Sequence, residues 1–264
     1  IFLASYYLYV LTGDFLQWTA FGIGVYVICN WIHGLKNRDP VAFLLIFKSK
    51  ALLLGLLSFP FITFVTYALG AFGPSFYIRN FSMTATEVGI IYGLITVFGS
   101  MIGVICGGIL GDKLRETFVN GKLYLIMASA VLTGVTAIGF IHSENLVASF
   151  TWKFVYHIAS TAWLGCAAST VTELVLPRLR AVASAFFILM LSMIGLALGP
   201  YLTGMVSDIY INSGLLPGPA LKNAMTLTLV VLILPFGLLV VACKYLKSDE
   251  AEIYEKARSL GEEI

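Results

Sequence analysis

The chain has 264 residues, 59% of them hydrophobic and 11% charged, with a mean hydropathy of +0.93 and a net charge of +2. That composition excludes a disordered chain, a nucleic-acid binder and an ordinary soluble domain, and it leaves a membrane protein. Cys29, Cys106, Cys166 and Cys243 each sit in an apolar stretch, which excludes a secreted disulfide scaffold and predicts reduced thiols.

A bilayer-spanning helix needs about 20 predominantly apolar residues. The first apolar run, 1 to 13, carries neither a basic leader nor a small-residue cleavage site, so it reads as the tail of a helix of a longer protein. Charge-poor stretches follow at 15 to 35, 51 to 78, 88 to 111, 123 to 143, 154 to 172, 181 to 207 and 223 to 243, and each is expected to span. None alternates in polarity as membrane strands do, so the predicted fold is all-helical. Between the first two, Gly34 to Lys50 mixes charge with a run, Val41 to Phe47, too short to cross; it predicts an amphipathic interfacial linker. After Lys247 the composition turns charged, and Ser248 and Asp249 are placed to cap a separate solvated helix with Ile253, Ala257 and Leu260 on one face.

Lysine and arginine give the orientation. If the 35 to 50 loop is cytoplasmic and the spans alternate, one side holds Lys36, Arg38, Lys48, Lys50, Lys113, Arg115, Lys122, Arg178, Arg180, Lys244, Lys247, Lys256 and Arg258, and the other only Arg79, Lys153 and Lys222. That asymmetry predicts a multi-pass protein of the inner or plasma membrane with a cytoplasmic C-terminus. Gly99, Gly103, Gly107 and Gly111 recur every four residues, as do Gly195, Gly199 and Thr203, which predicts two close helix contacts. Pro60, Pro200 and Pro235 lie inside spans and invite kinks.

At the cytoplasmic end of the 88 to 111 span the sequence reads GGILGDKLRE: Gly108, three residues, Asp112, Lys113, then Arg115. This resembles the loop signature of the major facilitator superfamily in its second-half copy, with Leu114 where the pattern has glycine and Glu116 in place of one final basic residue. Thr172 to Asp208, TELVLPRLRAVASAFFILMLSMIGLALGPYLTGMVSD, resembles the tenth-to-eleventh helix region of Spinster-like members. The resemblance implies a major facilitator fold. Residues 1 to 34 would be the tail of helix five and helix six, 35 to 50 a cytoplasmic linker, 51 to 246 the C-terminal six-helix bundle and 247 to 264 a cytoplasmic helix, the remaining N-terminal part lying outside the sequence. It also implies a cytoplasmic latch that closes in the outward-open state, drawn from Gly108, Asp112, Lys113, Arg115, Glu173 and Arg178, and coupling acids in the first six helices.

On the helices that line the superfamily's central cavity, the polar and aromatic positions are Tyr67, Tyr92, Thr96, Thr161, Trp163 and Thr170. Sparse charge and abundant aromatics suit an amphipathic or lipid-like substrate better than a sugar or phosphate, which would need dense hydrogen-bonding groups. His157, with Lys153 one turn before it, is expected to reach water at the outer interface. The three histidines, His33, His142 and His157, are scattered, and neither HExxH nor GxSxG occurs, which argues against an intramembrane enzyme. The expected function is secondary active transport of a small amphipathic molecule, possible proton coupling included, without cofactor, metal or nucleic acid. Another small organic solute, a channel and a membrane scaffold remain as alternatives.

Overall fold

The computed structural model describes residues 2 to 259 and is helical throughout, with no strand among them. The helices are α1 (Phe2–Thr12), α2 (Phe15–Arg38), α3 (Pro40–Lys48), α4 (Lys50–Phe81), α5 (Ala85–Thr117), α6 (Gly121–His142), α7 (Leu146–Glu173), α8 (Arg180–Met190), α9 (Ala197–Asn212), α10 (Pro217–Thr228) and α11 (Ile233–Ser259). A π-helical turn, Leu191–Leu196, fuses α8 to α9, and a 3-10 turn, Leu229–Leu232, fuses α10 to α11. Each lies just before a proline. Pro200 cannot donate to the carbonyl of Leu196, nor Pro235 to that of Val231, so the hydrogen-bond register shifts there.

Among the described residues six helical stretches are long and apolar enough to cross a membrane: Phe15–Arg38, Lys50–Phe81, Ala85–Thr117, Gly121–His142, Pro177–Asn212 and Pro217–Glu252. The expected span 154 to 172 is not one of them. It lies in α7, 28 residues long, whose buried face carries Ser149, Lys153, His157, Ser160 and Thr170. α7 is shielded from lipid on that face because it packs along its length between α5 and α6.

Local chemistry sets the boundaries. Thr84 and Glu87 form a reciprocal capping box at the start of α5, and Asn145 caps α7. The 34 to 50 segment forms α3, with Asp39 accepting from the Ala42 N–H and Pro40 in the first turn; Ala42, Leu45 and Ile46 are buried. The separate helix expected after Lys247 does not form. Ala, Glu and Lys are strong helix formers and no Gly or Pro intervenes, so α11 runs on through the charged stretch. Asp249 instead caps α4, accepting from the Ser49 hydroxyl at 2.9 Å and the Ala51 N–H at 2.8 Å. The side chains of Ile253 and Ala257, and Leu260 itself, lie outside the described residues.

Two apolar clusters fill the bundle. One, at the end bearing the Asp112 loop, gathers Leu52, Phe59, Ile126, Trp163, Phe187 and Leu239; the other gathers Val65, Leu69, Tyr77, Phe140, Tyr156 and Met225. Between α5 and α7 backbone approaches backbone at two glycines. A Cβ at Gly103 would collide with the Ile158 carbonyl, and one at Gly107 with the Ala162 carbonyl.

Candidate functional site

At the end of the bundle where α5 stops and α6 starts, the charged side chains pair in a pattern that sequence spacing does not show. Lys122, in the first turn of α6, is buried and reaches two carboxylates: Glu173, at the end of α7, by a hydrogen bond, and Asp112 of α5 at 3.9 Å. Asp112 and Glu173 thus do meet, through a lysine outside the expected set. Arg115 goes elsewhere, to Glu250 on α11 and to the Val119 carbonyl. Arg178 binds Asp39, the α3 cap, at 2.7 Å. Gly108 has open space where a side chain would stand, and Lys113 is exposed with no ion pair among the described residues. The expected single latch is therefore three separate pairings, tying α5–α6–α7, α5–α11 and the linker to the α7–α8 turn.

Asp39 has its carboxyl held below the ordinary carboxylate range, first by the Arg178 hydrogen bond and then by the Ala42 N–H. A lowered value means that the contribution is present above the ordinary carboxylate range and lost only as pH falls through the folded-state value. This pairing stays closed through neutral pH.

The six candidate substrate contacts separate into two kinds. Tyr67 is 43% exposed on α4, the one large ring of the set that is accessible. Trp163, by contrast, is buried, stacks on Phe59 and donates to the Ser160 carbonyl at 2.9 Å. Thr170 bonds back to the Cys166 carbonyl at 2.7 Å. These two positions, expected to line a pathway, are interior packing positions in this structure. Tyr92 is buried with its hydroxyl near the Leu69 and Gly70 carbonyls; Thr96 and Thr161 are half-buried and bond to backbone at 2.8 Å each. None of the six lines the polar cleft of about 840 Å³ formed by Thr12, Asp14, Gln17, Tyr201 and Asp208, where Tyr201 donates to Asp14 at 2.6 Å.

The expectation that Lys153 and His157 reach outer water is also corrected: both are buried, Lys153 completely. A lysine at the edge of an uncharged stretch favoured the surface, but Tyr92, Phe140 and Tyr156 close over the amine. Lys122, Glu250 and Asp39 are the partners that sequence reasoning missed. Their signal was charge at successive helix ends on one side, which shows a common face without showing who pairs with whom. Among the described residues no group of His, Cys, Asp and Glu could hold a metal ion.

No family model matches the chain. It is 30% identical over 201 residues to an MFS-type efflux pump of Mycolicibacterium smegmatis, an alignment covering 75% of this chain and 45% of the relative. It is 25% identical over 173 residues to Protein spinster of Drosophila melanogaster, covering 61% and 28%, and 25% identical over 177 residues to Protein spinster homolog 1 of Bos taurus, covering 61% and 33%. The chain thus spans less than half the length of these relatives. It superposes on a bacterial homologue of the human lysosomal transporter Spinster in an inward-facing, occupied conformation with a TM-score of 0.68 at 22% identity, over 76% of this chain and 50% of that one. The unoccupied inward-facing form gives 0.61 at 23%, over 84% and 52%. The chain has the fold of the major facilitator superfamily and is Spinster-like in sequence and structure, a multi-pass membrane protein.

Proposed function

We propose that these residues are the C-terminal bundle, with helix six and the tail of helix five, of a secondary active transporter that moves a small amphipathic or lipid-like molecule by alternating access. What supports it most is the clustering of ion pairs at one end of a major facilitator bundle: α5, α6, α7, α11 and the linker are joined there by partly exposed pairs. The solvent-exposed pairs among them each contribute about 0 to 1 kcal/mol, enough to bias two conformations that lie close in energy. Protons drive the cycle, the C-terminus is cytoplasmic, and the protein resides in the inner or plasma membrane; the basic-residue asymmetry favours that orientation. For the substrate, the accessible Tyr67 and the scarcity of membrane-embedded charge favour an amphiphile. The efflux-pump relative favours one second reading, export of another small organic solute.

The test is flux of fluorescent lysophosphatidylcholine into vesicles holding the full-length protein. Saturable uptake that Tyr67→Ala weakens is the expected result. Saturable transport of a hexose or a phosphate ester, unaffected by lysolipid, would overturn the substrate class.

A further inference from the structure

α7 carries a lysine where its surroundings offer a lysine nothing. Lys153 lies about 10 Å along the helix from Leu146, by the usual 1.5 Å rise, and is completely buried. Its Nζ has no hydrogen-bond partner and no ion pair among the described residues. Three ring faces surround it instead, with centroids at 4.3 Å for Phe140, 4.4 Å for Tyr156 and 4.9 Å for Tyr92. These faces attract a cation, but a methionine would fill the same space without the cost of an unpaired ionisable group inside a membrane. Packing does not require the amine.

One turn on, His157 is buried on the same face, with Nε2 3.0 Å from the Thr96 hydroxyl. That hydroxyl has one hydrogen, and it goes to the Tyr92 carbonyl at 2.8 Å. Thr96 therefore accepts, His157 donates from Nε2, and Nδ1 is left as the ring's acceptor for a further proton. Two basic groups share one enclosure with no carboxylate. The other titratable groups facing it are Tyr92 from α5, Tyr156 from α7 and, beyond them, Tyr77 from α4, held by Ser149 at 3.0 Å; α6 presents Phe140. Glu87 is occupied in the α5 cap, His142 bonds to Thr226, and Arg79 and Glu144 are exposed at the helix ends.

We propose that Lys153 and His157 form a proton-binding pair, closed to water in this packing with at most one of the two charged, which takes up a second proton when the outer ends of α5 and α7 part. Like charges one helical turn apart repel, and in an enclosure without counter-charge only water can relieve them. Protonation and opening are then one equilibrium, whichever happens first. The α5–α7 contact suits such a motion: at Gly99 and Gly103 α5 presents no side chain to α7, and the bonds to undo near the pair are Thr96 to His157 and Thr161 to the Ser100 carbonyl. The inference deepens the transporter reading and rests on it only in taking the opening as a step of the cycle.

The test uses full-length protein in lipid nanodiscs, with the exposed Cys29 and Cys106 replaced and spin labels at Thr86→Cys, in the first turn of α5, and Glu144→Cys, in the turn just before α7. Distances are measured between about pH 8 and pH 5, the range over which histidine ordinarily changes charge. Acidification should enlarge a longer-distance population severalfold. Lys153→Met and His157→Gln should each abolish most of that growth, and Lys153→Arg, permanently charged, should keep it, since protonation of His157 then supplies the second charge. A wild-type response in His157→Gln, or no response in the parent, would overturn the pair even if Lys153→Met fails to fold. Lysolipid flux measured on the same protein keeps the two readings apart: flux without a pH response removes the pair alone, and a pH response without flux removes the lysolipid reading alone.

Discussion

Lys122 holds the position that the motif alone assigns to Asp112. Its side chain is 8% exposed while those of Asp112 and Glu173 are 76% and 42% exposed, so the lysine is the member that cannot turn to water if its partners are removed, and the carboxylates are the members that can. Asp112→Asn should accordingly cost less than about 1 kcal/mol of stability, as exposed pairs do. Glu173→Gln takes the hydrogen-bonded carboxylate from a lysine that cannot reach water, with a loss of about 1.5 to 3 kcal/mol, the range for a hydrogen bond to a charged group. Thermal unfolding of the purified protein in detergent measures both, and equal effects would show that burial of the lysine does not set the cost. The sequence motif made Asp112 visible because its spacing from Gly108 is fixed along one helix. Lys122 and Glu173 belong to two other helices, and only packing brings them together.

At the scale of elements, the glycine repeat shows what spacing can and cannot reveal. Gly103, Gly107 and Gly111 were legible as one face of α5, and that face does meet α7, against Ile158, Ala162 and Cys166. Gly108, one residue over, belongs to the loop signature, yet a Cβ there meets nothing within 4 Å. Gly107→Ala should therefore force α5 off α7, an overpacking of about 1 to 3 kcal/mol and more where backbone is the obstacle. Gly108→Ala should be neutral or stabilising by up to roughly 1 kcal/mol, the helix-propensity difference. Unfolding midpoints and yields of folded protein separate the two, and a Gly108→Ala protein as damaged as Gly107→Ala would mean that α5 presents a different face. The polar interior of α7 escaped the reading for a related reason: a helix enclosed by neighbours can carry Lys153 and His157 without meeting lipid, and hydropathy along one strip of sequence does not register enclosure.

For the whole molecule, the ion pairs supply an argument for which helix ends lie together, independent of the count of basic residues. Arg115 with Glu250, Lys122 with Glu173 and Arg178 with Asp39 join the α2–α3 corner, the α5–α6 turn, the α7–α8 turn and the far end of α11. These four places must lie at one end of the bundle, as the alternation of spans expected for most of the thirteen basic residues. At the other end, Gly218 at the start of α10 packs beside Arg79 and Asn80 at the end of α4. The alternation survives although α7 is too polar to qualify as a span by composition, because α7 runs the length of the bundle beside α5 and α6. Burial also decides where the topology can be read out. Lys122 is enclosed and would report poorly, whereas Lys113 is exposed near the end of α5 and Lys222 is half-buried at the opposite end. With Cys29 and Cys106 replaced, an impermeant thiol reagent added to intact cells should modify Lys222→Cys and spare Lys113→Cys, and lysis should make Lys113→Cys reactive. Labelling of Lys113→Cys in intact cells would invert the orientation while leaving the fold untouched. Labelling of both from one side would break the alternation itself, and with it the assignment of α7 as a crossing helix.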